Sequence, residues 1–165
     1  MSPEAISNEP PAALRSAELP LARLTIAAPI VPVRNVAASL SFYERVLGFR
    51  QLRRNDDGSA ALVARDGMRV MLLRVGQRRA LESTREHLSA YVWVDDVDAL
   101  WAELEPRVLQ LPAWRVRRPF RQPYGAVEFH VKDPDGFLLF FAEDPFAPAA
   151  NEGLASRDSG PHRPN

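Results

Sequence analysis

Glu128 and His130 stand two residues apart in the stretch Arg121 to Asp144, RQPYGAVEFHVKDPDGFLLFFAED. If that stretch is extended, period-two alternation puts both on one face, roughly 7 Å apart by strand rise, with Val127, Phe129 and Val131 on the other. A carboxylate and an imidazole so placed can act as an acid/base pair, as two ligands of a metal ion, or as polar contacts in a binding groove. The register is set by Asp133-Pro134-Asp135-Gly136. Pro134 presets φ at the first corner, the Asp side chains bond nearby backbone N–H groups, and Gly136 accepts φ > 0. His87 has the matching parity if the chain from His87 to Val94 is a strand. His87, Glu128 and His130 then form a set of two imidazoles and a carboxylate that suffices for zinc or iron if the three converge. Against this, lone histidines usually satisfy ordinary hydrogen bonds.

Other chemistries are poorly represented. The sequence has no cysteine, hence neither a disulfide framework nor a thiolate site. It has no nucleophile motif and no Gly-rich phosphate loop. The formal charge is +0, and the dense basic cluster near an aromatic, Arg117, Arg118 and Arg121, reads as a solvated strand edge rather than a nucleic-acid footprint. No apolar run approaches the roughly 18 residues of a membrane span, and the N-terminal residues lack the order of a signal peptide. These features imply a cytoplasmic protein with neither nucleic-acid nor membrane partners. Lys132 is the sole lysine among 21 basic residues, a bias that fits genome composition better than function.

At 165 residues the chain can bury a sizeable core. Residues 1–22 and 147–165 are rich in Pro, Ala and Ser without periodicity and read as a disordered leader and tail around a folded unit at 23–146. Arg23 to Val33 is extended, and Pro29 and Pro32 limit it to an edge strand. Asn35 caps a helix whose apolar face is Val36, Leu40, Tyr43 and Leu47, and Gly48 ends it. Strands follow at Phe49 to Arg54, Ser59 to Ala64 and Met68 to Val75, separated by turns at Asp56-Asp57-Gly58 and Arg65-Asp66-Gly67. Residues 76–86 are polar and read as a linker. The order then repeats: a strand from His87 to Val94, a helix capped by Asp96 with Val97, Leu100, Trp101 and Leu104 on its apolar face and Pro106 as its stop, an ill-defined strand over Trp114 to Phe120, and the hairpin.

The chain is thus α+β, two tandem βαβββ modules at about 23–75 and 87–146 that form curved mixed sheets around a groove. Val33-Arg34-Asn35-Val36 matches Val94-Asp95-Asp96-Val97, and Arg65-Asp66-Gly67-Met68 matches Pro134-Asp135-Gly136-Phe137. Each helix must cover one sheet face. Because Ala90, Val92 and Val94 run into a helix cap, the opposite parity is left uncovered. That free face carries Arg69, Met71, Tyr91, Trp93, Glu128, His130 and Phe140. An aromatic surface with few polar groups is the usual lining of a small-molecule site, and it serves equally as a core or dimer contact.

VRNVAASLSFYERVLGF at 33–49, AYVWVDDVDALWAEL at 90–104 and QPYGAVEFHVKDPDGFLLFFAE at 122–143 resemble the glyoxalase, bleomycin-resistance and extradiol-dioxygenase superfamily, the vicinal oxygen chelate proteins. The likeness covers about residues 24–144 and is greatest to the bleomycin-resistance proteins, homodimers that sequester the antibiotic in grooves at the subunit interface without chemistry. The enzymes of that superfamily hold a divalent metal at four positions that fall here on Ala28, Met71, Ser89 and Phe140. None is an imidazole or carboxylate, so the resemblance implies neither metal nor other cofactor and no catalytic residue. It implies a metal-independent homodimer that confers resistance by sequestering a bleomycin-type glycopeptide. Tyr124, where tryptophan is usual, would stack on the ligand with Trp93 and Tyr91, and Glu128, His130, Arg69 and Phe140 would complete the contacts. The alternatives are a glyoxalase-like lyase, isomerase or dioxygenase acting on a small molecule, and a metabolite-binding module.

Overall fold

The computed structural model describes residues 26–143; the leader at 1–22 and the tail at 147–165 lie outside the described residues. The first half comprises β1 (Ile30–Val33), α1 (Val36–Arg45), β2 (Arg50–Arg54), β3 (Ala60–Arg65) and β4 (Met68–Arg74). After α2 (Arg78–His87) come β5 (Ser89–Val94), α3 (Val97–Val108), β6 (Val116–Arg121), β7 (Val127–Lys132) and β8 (Leu138–Glu143). The strands form two four-stranded sheets of equivalent order, β1-β4-β3-β2 and β5-β8-β7-β6. In each the first strand pairs parallel with the last and the remaining pairings are antiparallel.

Local chemistry accounts for the boundaries. The side chains of Asn35 and Asp96 accept from the backbone N–H groups of Ala38 and Ala99, the N-cap arrangement that satisfies one orphan donor of each helix. Gly48 takes φ 74° and turns the chain out of α1. At the β7–β8 turn Gly136 takes φ 93°, and Asp133 Oδ1 accepts from the N–H groups of Asp135 and Phe137. The hairpin register follows from this turn, with Val131 opposite Leu139 and His130 opposite Phe140.

α1 packs on β3 and β4, and α3 on β7 and β8. The buried residues of both halves join in one core that includes Val31, Tyr43, Leu72, Leu104, Phe129 and Phe141. Two charged links tie the halves together. Arg34 donates to Asp135 at the β7–β8 turn, and Arg65 reaches from the β3–β4 turn to Glu103 of α3. Deep in the core, Ser39 Oγ, Tyr43 OH and Asp133 Oδ2 have no hydrogen-bond partner among the described residues. Burial, with the Asp135 charge adding to it, outweighs the turn hydrogen bonds and pushes the Asp133 carboxyl up to about 6.

Three boundaries differ from the sequence reading. Residues 76–86 are not a linker throughout: α2 begins at Arg78 and runs through His87. It is held by the Arg78–Glu82 pair one turn apart and by the buried Leu81. Its apolar residues, Ala80 and Leu81, are adjacent and give no helical periodicity to read. In consequence β5 starts at Ser89, and His87 ends a helix instead of lying on the strand. α3 continues past Pro106 to Val108, because proline near a helix end tolerates helical φ and forfeits only one hydrogen bond. The ill-defined strand resolves into a 3-10 turn at Ala113–Arg115 followed by β6, whose register slips between Arg117 and Phe120.

Candidate functional site

The uncovered face of the second sheet is built in rows across the strands. Arg117, His130, Phe140 and Tyr91 are opposite one another on β6, β7, β8 and β5. The adjacent row on the same face is Phe120, Glu128, Ala142 and Trp93. The alternate residues Ala90, Val92 and Val94 pack against the core, as the parity argument expects.

The aromatic rings of these rows touch. Tyr91 stacks on Phe140 with centroids 5.2 Å apart and planes within 6°. Trp93 lies 4.6 Å from Tyr91, and His130 meets Phe140 edge-on at 4.4 Å and Phe120 at 5.1 Å. The Arg117 guanidinium covers the Phe120 ring at 3.4 Å. Tyr91 and Trp93 remain 41% and 47% exposed, so the row offers open π-surface to a ligand.

Glu128 is the polar centre of this surface, although it has no accessible area of its own. Its Oε1 accepts from Gln122 Nε2 at 2.5 Å and His130 Nε2 at 2.6 Å; its Oε2 accepts from the Tyr91 hydroxyl and from Tyr124 OH at 3.2 Å. An ionised carboxylate only accepts, so Nε2 carries the His130 proton. Burial opposes ionisation of Glu128, but the donors, Tyr91 first, outweigh it and hold its pKa below the usual value. The reverse applies to Tyr91, whose phenol is pushed well up by burial and by the adjacent carboxylate. The carboxylate therefore fixes two phenols and an imidazole in place. With both oxygens doubly engaged, it can take a further proton or cation only if a donor leaves.

Tyr124 reaches this cluster from the β6–β7 turn, where Gly125 takes φ 99° and Gln122 N–H bonds the Ala126 carbonyl. Its ring is 69% exposed. Of the residues singled out from sequence, the structure brings together Tyr91, Trp93, Tyr124, Glu128, His130 and Phe140. Arg69 and Met71 do not join them. Both lie on β4 of the other sheet, so the expected single free face is two faces. Gln122, Phe120, Arg117 and Lys132 join the site beyond those residues; Lys132, on the His130 parity, can be read from alternation, whereas Phe120 and Arg117 depend on the slipped register of β6.

The metal positions named by the resemblance carry the wrong chemistry. Ala28 precedes β1, Ser89 opens β5, Met71 lies on β4, and Phe140 is stacked on Tyr91. A methyl, a hydroxyl, a thioether and a phenyl ring do not make a site for a hard or borderline cation. His87, at the end of α2, does not complete a set with Glu128 and His130; among the described residues no three His, Cys, Asp or Glu side chains are grouped for a shared ion.

A cavity of about 790 Å³ lies between the halves, lined by Leu47, Phe49, Met68, Leu100 and Phe141 and by the edge strand β5, so that Tyr91 and Trp93 border both it and the aromatic rows. On the α3 side of it, Arg65 bonds both Glu103 and the Leu47 carbonyl. The aromatic rows offer the better recognition chemistry because flat exposed rings and fixed hydroxyls converge there.

Two mixed sheets built from a repeated βαβββ unit, each with a helix on one face and the other open, define a scaffold of the vicinal oxygen chelate class. The chain belongs to the Glyoxalase/Bleomycin resistance protein/Dioxygenase superfamily, whose family model matches residues 24–141. Among solved structures, the bleomycin-binding protein from bleomycin-producing Streptomyces verticillus, complexed with copper(II)-bleomycin, is similar at 25% identity and a TM-score of 0.62, over 75% of this chain and 99% of that one. A bleomycin resistance determinant encoded on the transposon Tn5 has 22% identity and a TM-score of 0.60, over 73% and 98%. Lactoylglutathione lyase from Agrobacterium tumefaciens has 16% identity and a TM-score of 0.53, over 73% and 95%. These last two likenesses show the fold alone. No curated protein matches the sequence. Among the described residues, no helix is long and apolar enough to cross a membrane.

Proposed function

We propose that the chain is a metal-independent binding protein that confers resistance by sequestering a small molecule with a flat aromatic portion. A bleomycin-type glycopeptide is the first candidate. The observation that carries this reading is the open row of Trp93, Tyr91, Phe140 and His130, with its hydroxyls held by the buried Glu128. Stacking on Tyr91, Trp93 and Tyr124 supplies the affinity, and Phe140 and His130 form the floor. Glu128 acts through the two tyrosine hydroxyls. The likeness to the copper(II)-bleomycin complex supports the choice of candidate.

Arg69 enters the site only if the first sheet of a second copy closes over the row. The exposed Ile30, Met71 and Leu73 beside it suit such a contact, and the protein is proposed to work as a cytoplasmic homodimer whose folded unit spans residues 23–146. The test is titration of the purified chain with bleomycin while following tryptophan fluorescence and heat. Saturable quenching that is reduced in the Trp93→Phe variant is expected; saturating drug with no change in fluorescence or heat contradicts the proposal.

A further inference from the structure

Although the chain is neutral overall, its strands are not. Among the described residues, the strands carry only two carboxylates, Glu128 and Glu143. Glu143 shares the parity of Leu139 and Phe141, on the helix side of the sheet, and Glu128 has no accessible surface and four donors on its two oxygens. Among the described strand residues, the uncovered face of the second sheet therefore shows no accessible carboxylate; the exposed Asp95 lies beyond the end of β5, at the Trp93 end and away from Arg117. The face does show cations. Arg117 ends the aromatic row directly across from His130, and Lys132 has the His130 parity on β7. Its neighbour Arg118 is neutralised by Glu105 of α3, whereas no carboxylate among the described residues pairs with Arg117. The first sheet repeats the pattern, with Arg69 opposite Ala64 and Arg50, and Arg53 in the row of Met71.

From this we infer that the aromatic row takes a planar aromatic anion, such as an aromatic carboxylate, in preference to a cation. The inference rests on the proposed ligand face and narrows its occupant. Strands are about 4.8 Å apart, so a ring lying over Phe140 and His130 places a substituent about one strand further on, at Arg117. The guanidinium presents a planar donor fork suited to a carboxylate, and its cation is already oriented over Phe120. An anion is attracted there, and a cationic group lying over Phe140 and His130 meets Arg117 and a carboxylate whose two oxygens each already accept two hydrogen bonds. This ranks a flat aromatic anion ahead of a ligand that relies on a cationic tail.

The experiment is calorimetric titration of the full chain with two naphthalenes of opposite charge, naphthoate and naphthylmethylammonium, at low salt and at roughly 0.15 M. Naphthoate is expected to bind about tenfold tighter than the ammonium at low salt, and the gap narrows as salt screens the charge. In the Arg117→Gln variant naphthoate weakens severalfold and the ammonium does not. Equal affinities, or a tighter ammonium, overturn the charge assignment and leave the stacking face standing. Bleomycin binding without naphthoate binding does the same. If naphthoate, the ammonium and bleomycin all fail to bind, both the charge assignment and the proposed ligand face fall.

Discussion

Glu128 changes role between sequence and structure. Alternation puts it on the right face, next to His130, but cannot show that its carboxylate is enclosed by Tyr91, Tyr124, Gln122 and His130. Three of those donors come from β5 and the β6–β7 turn, and their convergence is tertiary. Glu128→Ala leaves four donors without their acceptor and is expected to cost about 2–4 kcal/mol in urea unfolding. It also lets the Tyr91 phenol ionise at lower pH, since the charge that opposes ionisation is gone. Unchanged stability together with an unchanged phenol titration would contradict the enclosed carboxylate.

Asp133 supplies a pH test of the core. Its carboxyl is near 3.9 in an unfolded chain and about 6 when folded, so the folded state binds the extra proton within that window. The contribution to stability is therefore fullest below the lower value and is lost as pH rises through about 6. Asp133→Asn removes the titration and keeps an oxygen for the N–H groups of Asp135 and Phe137. Relative to the native protein, the variant should gain on the order of 2 kcal/mol between pH 4 and pH 7. A difference that does not vary with pH would show that Asp133 is not held neutral.

Elements with a strong local signal were legible and those stabilised by single contacts were not. α1 and α3 display apolar residues at helical spacing behind side-chain caps, and the β7–β8 hairpin has a Pro-Asp-Gly turn. Among the described side chains of α2, Leu81 is the buried one, and it anchors the helix to the core. Leu81→Ala should lower stability by about 2–3 kcal/mol and speed amide exchange in Arg78–His87 before the sheets are affected, measured by hydrogen exchange. Uniform exchange across α2 and β5 would mean that the helix does not open separately. Pro106 misled for a different reason: the rule that proline stops a helix applies to its interior, and α3 ends two residues later in any case.

The duplicated architecture was also evident from sequence, since matching tetrapeptides at the helix caps and turns repeat once. What the repeat could not supply is how the two units sit. They share one core and exchange charged contacts, Arg34 with Asp135 and Arg65 with Glu103, while their open faces belong to separate sheets. This is why Arg69 does not meet the Tyr91 row within one chain.

The central claim, that the Tyr91 row is the ligand face, is tested most directly by mapping amide and indole chemical shifts of the full chain during titration with bleomycin or naphthoate. Perturbations are expected at the Trp93 indole, Tyr91, Tyr124, His130 and Phe140. Shifts confined to Leu47, Phe49, Met68 and Leu100 around the cavity between the halves, with His130 and Phe140 unmoved, would contradict it.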